Sequence, residues 1–150
     1  MKSREDSEVH IVYHRVGFES KAGHHVRSRM EAMVCDWLMS HRVAHRHGSE
    51  VFTVRLGARA TPTVYVPDIV LHDTDKSGKT VILEPFDAST PRVGSTRIIA
   101  CFRKEMNKNY SIIFIVKNRQ KNKVLKGAYD VLVDFSDLDA LEKYLPQIPK

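Results

Sequence analysis

The chain has 150 residues, 42% of them hydrophobic, and a formal net charge of +6 at pH 7. This length and apolar content predict one globular domain, residues 1–150, with residues 1–8 flexible, and leave too little chain for a second domain. No apolar run approaches the roughly 18 residues of a membrane-spanning helix, so we expect no membrane partner and a soluble, cytoplasmic protein. The basic charge favours nucleic acid as a polyanionic partner, with a basic protein that has no such partner as the alternative.

The first strong pattern in chain order is a helix at residues 28–40, after a short strand at 9–13 and a loop at 17–23. Ser28-Arg-Met-Glu31 has the form of a capping box, in which the serine hydroxyl and the glutamate carboxylate accept hydrogen bonds from free amides of the first turn. Apolar residues recur at helical spacing, which predicts that one face packs on a sheet. These residues are Met30, Val34, Trp37 and Leu38.

Cysteine and histidine give no clear metal pattern in the sequence. Cys35 and Cys101 lie far apart without a CxxC spacing, so we expect reduced thiols and neither a disulfide nor a structural zinc site. His41 and His45 would share a metal only if the helix continued past residue 40, and a polar helix end explains the same spacing. The pair His24-His25 before the helix is a candidate general base or phosphate contact.

The most apolar part of the chain is a predicted hairpin that follows a half-exposed strand at 50–56. Its two strands, 64–71 and 81–87, are rich in valine and isoleucine and flank a polar turn, which predicts adjacent strands buried on both faces. Each strand carries one carboxylate, Asp68 or Glu84, and antiparallel pairing brings both to the same end. Carboxylate oxygens are the ligands that Mg²⁺ and Mn²⁺ prefer, so the pair predicts a divalent cation site.

The second half of the chain continues with a helix at 97–107, a buried strand at 110–116, a short strand at 130–135 and a closing helix at 136–145 that begins at a Ser136 cap. Residues 88–126 contain ten basic side chains and one acidic side chain, a net of +9. This segment predicts a phosphate-binding surface, and a solvated charged face is the alternative. The candidate nucleic-acid contacts are Arg97, Arg103, Lys104, Lys117, Arg119, Lys121 and Lys123.

The hairpin and the first helix together resemble a known family. Pro67-Asp68, fifteen intervening residues and Glu84-Pro85-Phe86 resemble the motif of the PD-(D/E)xK nucleases, whose two acidic residues lie on neighbouring strands. The segment that ends in Glu31 resembles the helix start that often supplies a further acidic residue in this superfamily. Phe86 departs from the motif, because a lysine belongs there. The resemblance implies an α/β fold with a restriction-endonuclease-like core, a mixed central sheet flanked by helices.

The activity that this resemblance implies is metal-dependent endonucleolytic hydrolysis of DNA phosphodiester bonds. Asp68 and Glu84 would hold Mg²⁺ or Mn²⁺, with Glu31 as a third ligand or, alternatively, only as the capping partner of its helix. The ion would polarise the phosphate and activate a water molecule. A cation must also stabilise the developing negative charge, and Phe86 cannot supply one. By analogy with relatives whose lysine has moved, Lys104 takes this role, with Arg103 and Lys79 as alternatives.

Two other functions are compatible with the sequence. A nuclease-fold module that binds nucleic acid without cutting it is supported by Phe86. A protein-interaction or assembly domain would instead use the apolar strand at 112–116 and the basic loop that follows it. DNA is favoured over RNA as the nucleic-acid partner, and a homodimer is compatible with a small nuclease that cuts both strands.

Overall fold

A computed structural model of the chain describes residues 18–19, 25–26, 28–87 and 96–145. The flexible start predicted at 1–8, the strand predicted at 9–13 and His24 lie outside these residues. Within the predicted loop at 17–23, the structure describes only residues 18 and 19, which form a short strand.

The described residues form nine strands and two α-helices, joined in part by 3-10 helices. The strands are β1 (Phe18–Glu19), β2 (His25–Val26), β3 (His45–His47), β4 (Phe52–Val54), β5 (Thr63–Tyr65), β6 (Ile69–Thr74), β7 (Thr80–Phe86), β8 (Tyr110–Val116) and β9 (Val131–Asp134). The helices are α1 (Arg29–Ser40) and α2 (Thr96–Met106), and the 3-10 helices are Asn118–Lys123, Lys126–Ala128 and Leu138–Lys143. Across the described ranges, no helix is both long and apolar enough to span a membrane.

A five-stranded mixed sheet forms the centre of the fold, in the order β3-β6-β7-β8-β9. The pairs β3-β6 and β6-β7 are antiparallel, whereas β7-β8 and β8-β9 are parallel. A parallel pair needs a crossover connection, which α2 supplies between β7 and β8. The predicted mixed α/β fold, with a mixed sheet flanked by helices, is therefore confirmed.

The central strand β7 is buried on both faces because successive side chains point to opposite sides of the sheet. Leu83 belongs to the core that contains Leu38 of α1, whereas Ile82 belongs to the core that contains Phe102 of α2. One helix therefore covers each face. Because both faces are covered, the hairpin sequence consists of continuous apolar runs and not of alternating apolar and polar residues.

Helix α1 begins and ends close to the predicted positions. The Ser28 hydroxyl accepts a hydrogen bond from the Glu31 amide at 3.0 Å, which confirms Ser28 as the N-cap. After the last turn, Arg42 has a φ of 60°, a left-handed conformation that is common where helices end. The amide of Val43 then bonds to the carbonyl of Leu38 at 2.9 Å, and the chain turns back into β3.

The first strand of the predicted hairpin is interrupted, and the prediction of one strand at 64–71 is wrong. Residues 63–65 form β5, which pairs with β4 in a separate two-stranded ribbon, while β6 begins only at Ile69. Pro67 lies at the break, where it lacks an amide proton and restricts the backbone of the residue before it. The ribbon packs on α2, since the rings of Phe52 and Tyr65 lie 4.7 and 4.9 Å from that of Phe102.

The predicted closing helix at 136–145 is also corrected by the structure. It is a 3-10 helix, Leu138–Lys143, and the N-cap position is Asp137. The Ser136 hydroxyl donates to Asp134 Oδ1 at 2.9 Å instead, so the cap assigned to Ser136 is wrong. The segment is held by tertiary contacts: Leu141 is fully buried, and the Trp37 indole donates to Asp139 at 2.9 Å.

The packing of α1 on the sheet makes a quantitative prediction. Leu38 is 0% exposed, so Leu38→Ala leaves a cavity and should lower the free energy of unfolding by about 2–5 kcal/mol. Met39 on the same helix is 44% exposed, and Met39→Ala should change the free energy of unfolding by less than about 0.5 kcal/mol. Urea unfolding of the full chain measures both values. Equal effects of the two substitutions would show that α1 does not pack with this face inward.

Candidate functional site

The two carboxylates of the hairpin lie together at one end of the central sheet. Ile69 pairs with Leu83 in the antiparallel β6-β7 ladder, so Asp68 lies opposite Glu84. The Asp68 amide approaches Glu84 Oε2 to 3.3 Å. The break in the first strand therefore does not separate the two residues, because β6 begins directly after Asp68.

Both carboxylates are removed from solvent, with Glu84 0% and Asp68 5% exposed. The hydroxyl of Tyr65, the last residue of β5, donates to Glu84 Oε2 at 2.6 Å. Hydrogen bonds to a carboxylate are stronger than those between neutral groups, and they offset part of the cost of burying it. Tyr65 is a site residue that the sequence analysis missed, because only the folding of the β4-β5 ribbon over α2 brings it to Glu84.

Phe86 occupies the same face of β7 as Glu84, two residues further along the strand. Its ring packs in the core on the α2 side, with its centroid 6.0 Å from that of Phe114. The position that the nuclease motif gives to lysine is therefore part of an apolar wall beside the carboxylate pair.

Lys104 lies on the exposed face of α2. Two residues correspond to about 200° around an α-helix, so Lys104 is on the side opposite Phe102, which packs against Tyr65. The structure thus does not bring Lys104 to the carboxylate pair, and its catalytic role stays a prediction that this geometry does not support.

Arg103 is engaged in an ion pair within the protein. Its guanidinium donates from Nε and from a terminal nitrogen to Asp130 Oδ1, at 3.1 and 2.7 Å. This hydrogen-bonded carboxylate raises the pKa of Arg103 above its ordinary value. Asp130 also accepts the Ile112 amide at 2.7 Å, so Arg103 links α2 to the start of β8. The expectation that Arg103 is available for phosphate or catalysis is therefore not supported.

The basic residues after β8 lie at the same end of the sheet as the carboxylate pair. In the parallel β7-β8 ladder, Glu84 pairs with Phe114 and Phe86 with Val116, so the chain leaves β8 at that end. The 3-10 helix Asn118–Lys123 follows immediately. The basic side chains of this 3-10 helix are exposed; they are Arg119, Lys121 and Lys123. Lys117, which precedes it, is half-buried, and Arg97 at the start of α2 is exposed.

A second cluster of polar side chains lies between α1 and the edge strand β3. His45 and His47 pair with Leu71 and Ile69, whose side chains belong to the core on the α1 side, so both imidazoles face that helix. Cys35 Sγ lies 3.2 Å from the Nε2 atom of each imidazole. One ligand atom from each of the three residues lies within 4.8 Å of the others, an arrangement that could hold a metal ion.

The outer nitrogens of the two imidazoles have defined partners. His47 Nδ1 lies 2.7 Å from the Glu31 carboxylate, and His45 Nδ1 lies 2.8 Å from the Val43 carbonyl. Burial by itself would lower the pKa of His47, but the hydrogen bonds to Cys35 and Glu31 outweigh it and raise this pKa to about 9. The carboxylate predicted as a third ligand of the hairpin site therefore contacts His47.

This cluster bears on two statements of the sequence analysis about metal ligands. The sequence indicated no structural zinc site at Cys35 and did not foresee this cluster. The condition under which His41 and His45 would share a metal is not met, because α1 ends at Ser40. His41 instead stacks on Trp37, with ring centroids 3.8 Å apart. The available signal was local: Glu31 and Cys35 are four residues apart on a helix, and His45 and His47 are two apart on a strand, so each pair shares a face.

Comparison of the chain with protein-family models, with curated proteins and with solved structures found no match.

Tyr65 should contribute to stability through its bond to the buried Glu84 carboxylate. Tyr65→Phe removes the donor and leaves the carboxylate in place, so the free energy of unfolding should fall by about 1–3 kcal/mol. Tyr144 is 40% exposed, and Tyr144→Phe should change the free energy of unfolding by less than about 0.5 kcal/mol. Chemical denaturation at neutral pH compares the two variants. A Tyr65→Phe protein as stable as the control would mean that Glu84 does not depend on this hydroxyl.

Proposed function

We propose that this chain is a metal-dependent nuclease that hydrolyses DNA phosphodiester bonds, with Asp68 and Glu84 as ligands of Mg²⁺ or Mn²⁺. The observation that carries the proposal is the buried carboxylate pair at one end of the sheet. The central sheet and its two helices support it: α1, the three antiparallel strands β3, β6 and β7, then α2 and the parallel strand β8 resemble the PD-(D/E)xK core. A restriction-endonuclease-like fold is therefore part of this proposal.

The donor set fits a hard divalent cation. Two carboxylates buried next to each other repel when both are ionised, and a cation between them relieves that repulsion. When bound, the ion would polarise the scissile phosphate and lower the pKa of a water molecule. Mg²⁺ and Mn²⁺ both prefer such oxygen ligands.

The chain itself orients the site and attracts the substrate. The Tyr65 hydroxyl and the Asp68 amide both donate to one oxygen of Glu84, which holds this carboxylate in one orientation. A ligand fixed in advance loses less conformational freedom when it binds an ion. The basic 3-10 helix Asn118–Lys123 lies at the same end of the sheet, where it would raise the local concentration of a phosphate backbone.

A nucleic-acid-binding module without nuclease activity is the second candidate, and a specific observation favours it. Phe86 packs against Phe114 where the motif has its lysine, and Lys104 lies on the opposite side of α2 from Phe102. Neither of these two described positions therefore places a cation beside the carboxylate pair, where one would stabilise the developing charge on the phosphate. This candidate predicts salt-sensitive binding of DNA without cleavage.

The carboxylate pair is tested by removing charge with little change of shape. Asp68→Asn and Glu84→Gln should each lower the rate of Mg²⁺- or Mn²⁺-dependent cleavage by at least about 100-fold, because a lost ligand weakens both metal binding and transition-state stabilisation. Asp73→Asn, an exposed carboxylate on the same strand β6, should leave the rate unchanged. The assay uses labelled duplex, single-stranded and branched DNA, with EDTA as the metal-free reference.

Two results of this assay would count against the nuclease. Cleavage that survives both Asp68→Asn and Glu84→Gln would assign it to another site or to a contaminant. Salt-sensitive binding without cleavage under either metal would establish the binding module instead.

The basic end of the sheet makes a separate prediction about binding. Each lost phosphate contact should reduce the slope of log affinity against log salt by about 0.9, so the double variant Lys121→Gln, Lys123→Gln should reduce it by about 1.8 on duplex DNA. The matched control is Lys76→Gln, Lys143→Gln, which removes the same charge from a cleft at the opposite end of the sheet. Equal losses in the two double variants would indicate a general charge effect and no binding surface at residues 118–123.

A further inference from the structure

The cluster between α1 and β3 has the composition and geometry of a transition-metal centre. We propose that Cys35, His45 and His47 bind one Zn²⁺ ion through Sγ and the two Nε2 atoms, with the Glu31 carboxylate as a positioning group behind His47. This site is separate from the proposed Asp68 and Glu84 pair, and the proposal does not depend on nuclease activity.

The two sulfur–nitrogen distances of the cluster are close to those of a tetrahedral site. With bonds of about 2.3 Å to sulfur and 2.0 Å to nitrogen, tetrahedral angles separate the sulfur from each nitrogen by about 3.5 Å. Cys35 Sγ lies 3.2 Å from His45 Nε2 and 3.2 Å from His47 Nε2. These two distances need to lengthen by only about 0.3 Å, and the two histidine nitrogens, which lie within 4.8 Å of each other, need to reach about 3.3 Å for the ion to bind, with its fourth position left for a further ligand.

The hydrogen bonds of the outer nitrogens place a proton on Nδ1 of each histidine and direct Nε2 towards Cys35. A backbone carbonyl can only accept a hydrogen bond, so His45 must carry its proton on Nδ1 towards Val43 and leave the Nε2 lone pair towards Cys35. The Nδ1 proton of His47 points to the Glu31 carboxylate, and a metal bound at Nε2 replaces the proton carried there. Histidine ligands of metals commonly donate their second nitrogen to a carboxylate or a backbone carbonyl, and here each histidine has one of these two partners.

The chemistry of the donors identifies the class of metal. A thiolate and two imidazoles are borderline-soft ligands, which suit Zn²⁺, whereas Mg²⁺ and Mn²⁺ prefer carboxylate oxygens. The two proposed sites of this chain thus select different ions. They can be distinguished by metal content alone, without any measurement of activity.

Burial favours a metal centre over a nucleophilic cysteine. The order Cys35, His47, Glu31 has the pattern of a catalytic triad, but a nucleophile must reach its substrate. Cys35 is 0% exposed and lies on the inner face of α1. In addition, a catalytic triad needs only one imidazole next to the sulfur, whereas the imidazoles of His45 and His47 both lie next to Cys35 Sγ. Both observations fit a metal ligand.

The site would strengthen a short edge strand. Strand β3 has three residues and, within the ranges that the structure describes, pairs only with β6. An ion bound by Cys35 of α1 and by both histidines of β3 would connect the strand to the helix. Because the unfolded chain does not hold these ligands together, the ion would bind the folded state and stabilise it.

The decisive experiment measures metal in the full-length chain. The purified protein is loaded with Zn²⁺, passed through gel filtration and analysed for zinc per chain; a parallel sample receives Co²⁺ for absorption spectroscopy. We expect one zinc per chain and, with Co²⁺, a thiolate-to-metal charge-transfer band together with the strong visible bands of a tetrahedral site. Cys35→Ser should lose the thiolate band and most of the zinc. Cys101→Ser, which removes the other thiol of the chain, should keep both.

Further variants separate metal binding from a failure to fold. His47→Asn should lose zinc, whereas His72→Asn, which changes an exposed histidine on β6, should keep it. Glu31→Gln should keep the thiolate band but weaken zinc affinity by about 10–100-fold, as expected for a group behind a ligand. In the unmodified chain, a chelator should lower the melting temperature and added zinc should restore it, a readout that needs no substitution.

Several outcomes would overturn the zinc site. They are substoichiometric zinc in the unmodified chain, a Co²⁺ spectrum without a thiolate band, or zinc that Cys35→Ser and Cys101→Ser retain equally. Rapid alkylation of Cys35 relative to Cys101 in the metal-loaded protein would indicate a reactive nucleophile instead. The Asp68→Asn variant should still bind one zinc per chain. Failure of the nuclease proposal can therefore be distinguished from failure of the zinc-site proposal.

Discussion

The register between β6 and β7 is the constraint on which the rest of the structure depends. Strand β7 is covered on both faces, and every side chain it carries is assigned to one helix or the other by the alternation of the strand. A slip of one residue would move Leu83 out of the core under α1 and Glu84 away from Tyr65. The apolar contacts that hold the register therefore also place the carboxylate pair.

Strand direction brings the candidate functional residues to one end of the sheet. The antiparallel pairing of β6 with β7 joins Asp68 to Glu84, and the parallel pairing of β7 with β8 delivers the basic 3-10 helix to the same end. In the antiparallel β3-β6 ladder, His47 lies opposite Ile69, the residue after Asp68. The carboxylates, the basic 3-10 helix and His47 thus lie towards the same end of the sheet, although they are spread over most of the described chain.

Both polar clusters lie where burial is costly. Ionised groups removed from water must be compensated by hydrogen bonds, opposite charges or bound ions. Glu84 has the Tyr65 hydroxyl and the Asp68 amide, while Glu31 has the His47 imidazole. A core of this size could use apolar residues at these positions at lower cost, which is a physical reason to look for function at both clusters.

Local patterns in the sequence determined the elements whose signals lie within a few residues. The Ser28 cap, helix α1, the turn after β6, helix α2 and strand β8 lie close to their predicted positions, because capping chemistry and apolar periodicity act over one or two turns. The charge of the basic segment could also be predicted, as could the position of Asp68 and Glu84 at one end of the hairpin, because antiparallel strands bring the start of one beside the end of the next. Their direct pairing could not be predicted, because the register of the two strands shifts between Val70 and Thr74.

Tertiary structure decided what depends on residues far apart in the chain. Cys35 contacts His45 and His47 only because β3 turns back along α1. Arg103 is not available at the basic surface because it forms an ion pair with Asp130, which lies beside it in the fold. The closing segment had the composition of an α-helix but forms a 3-10 helix, since it is held by the buried Leu141 and the contact of Trp37 with Asp139. Composition and periodicity do not predict contacts between residues that are far apart in the chain, because these contacts form, and stabilise the protein, only when the chain is folded.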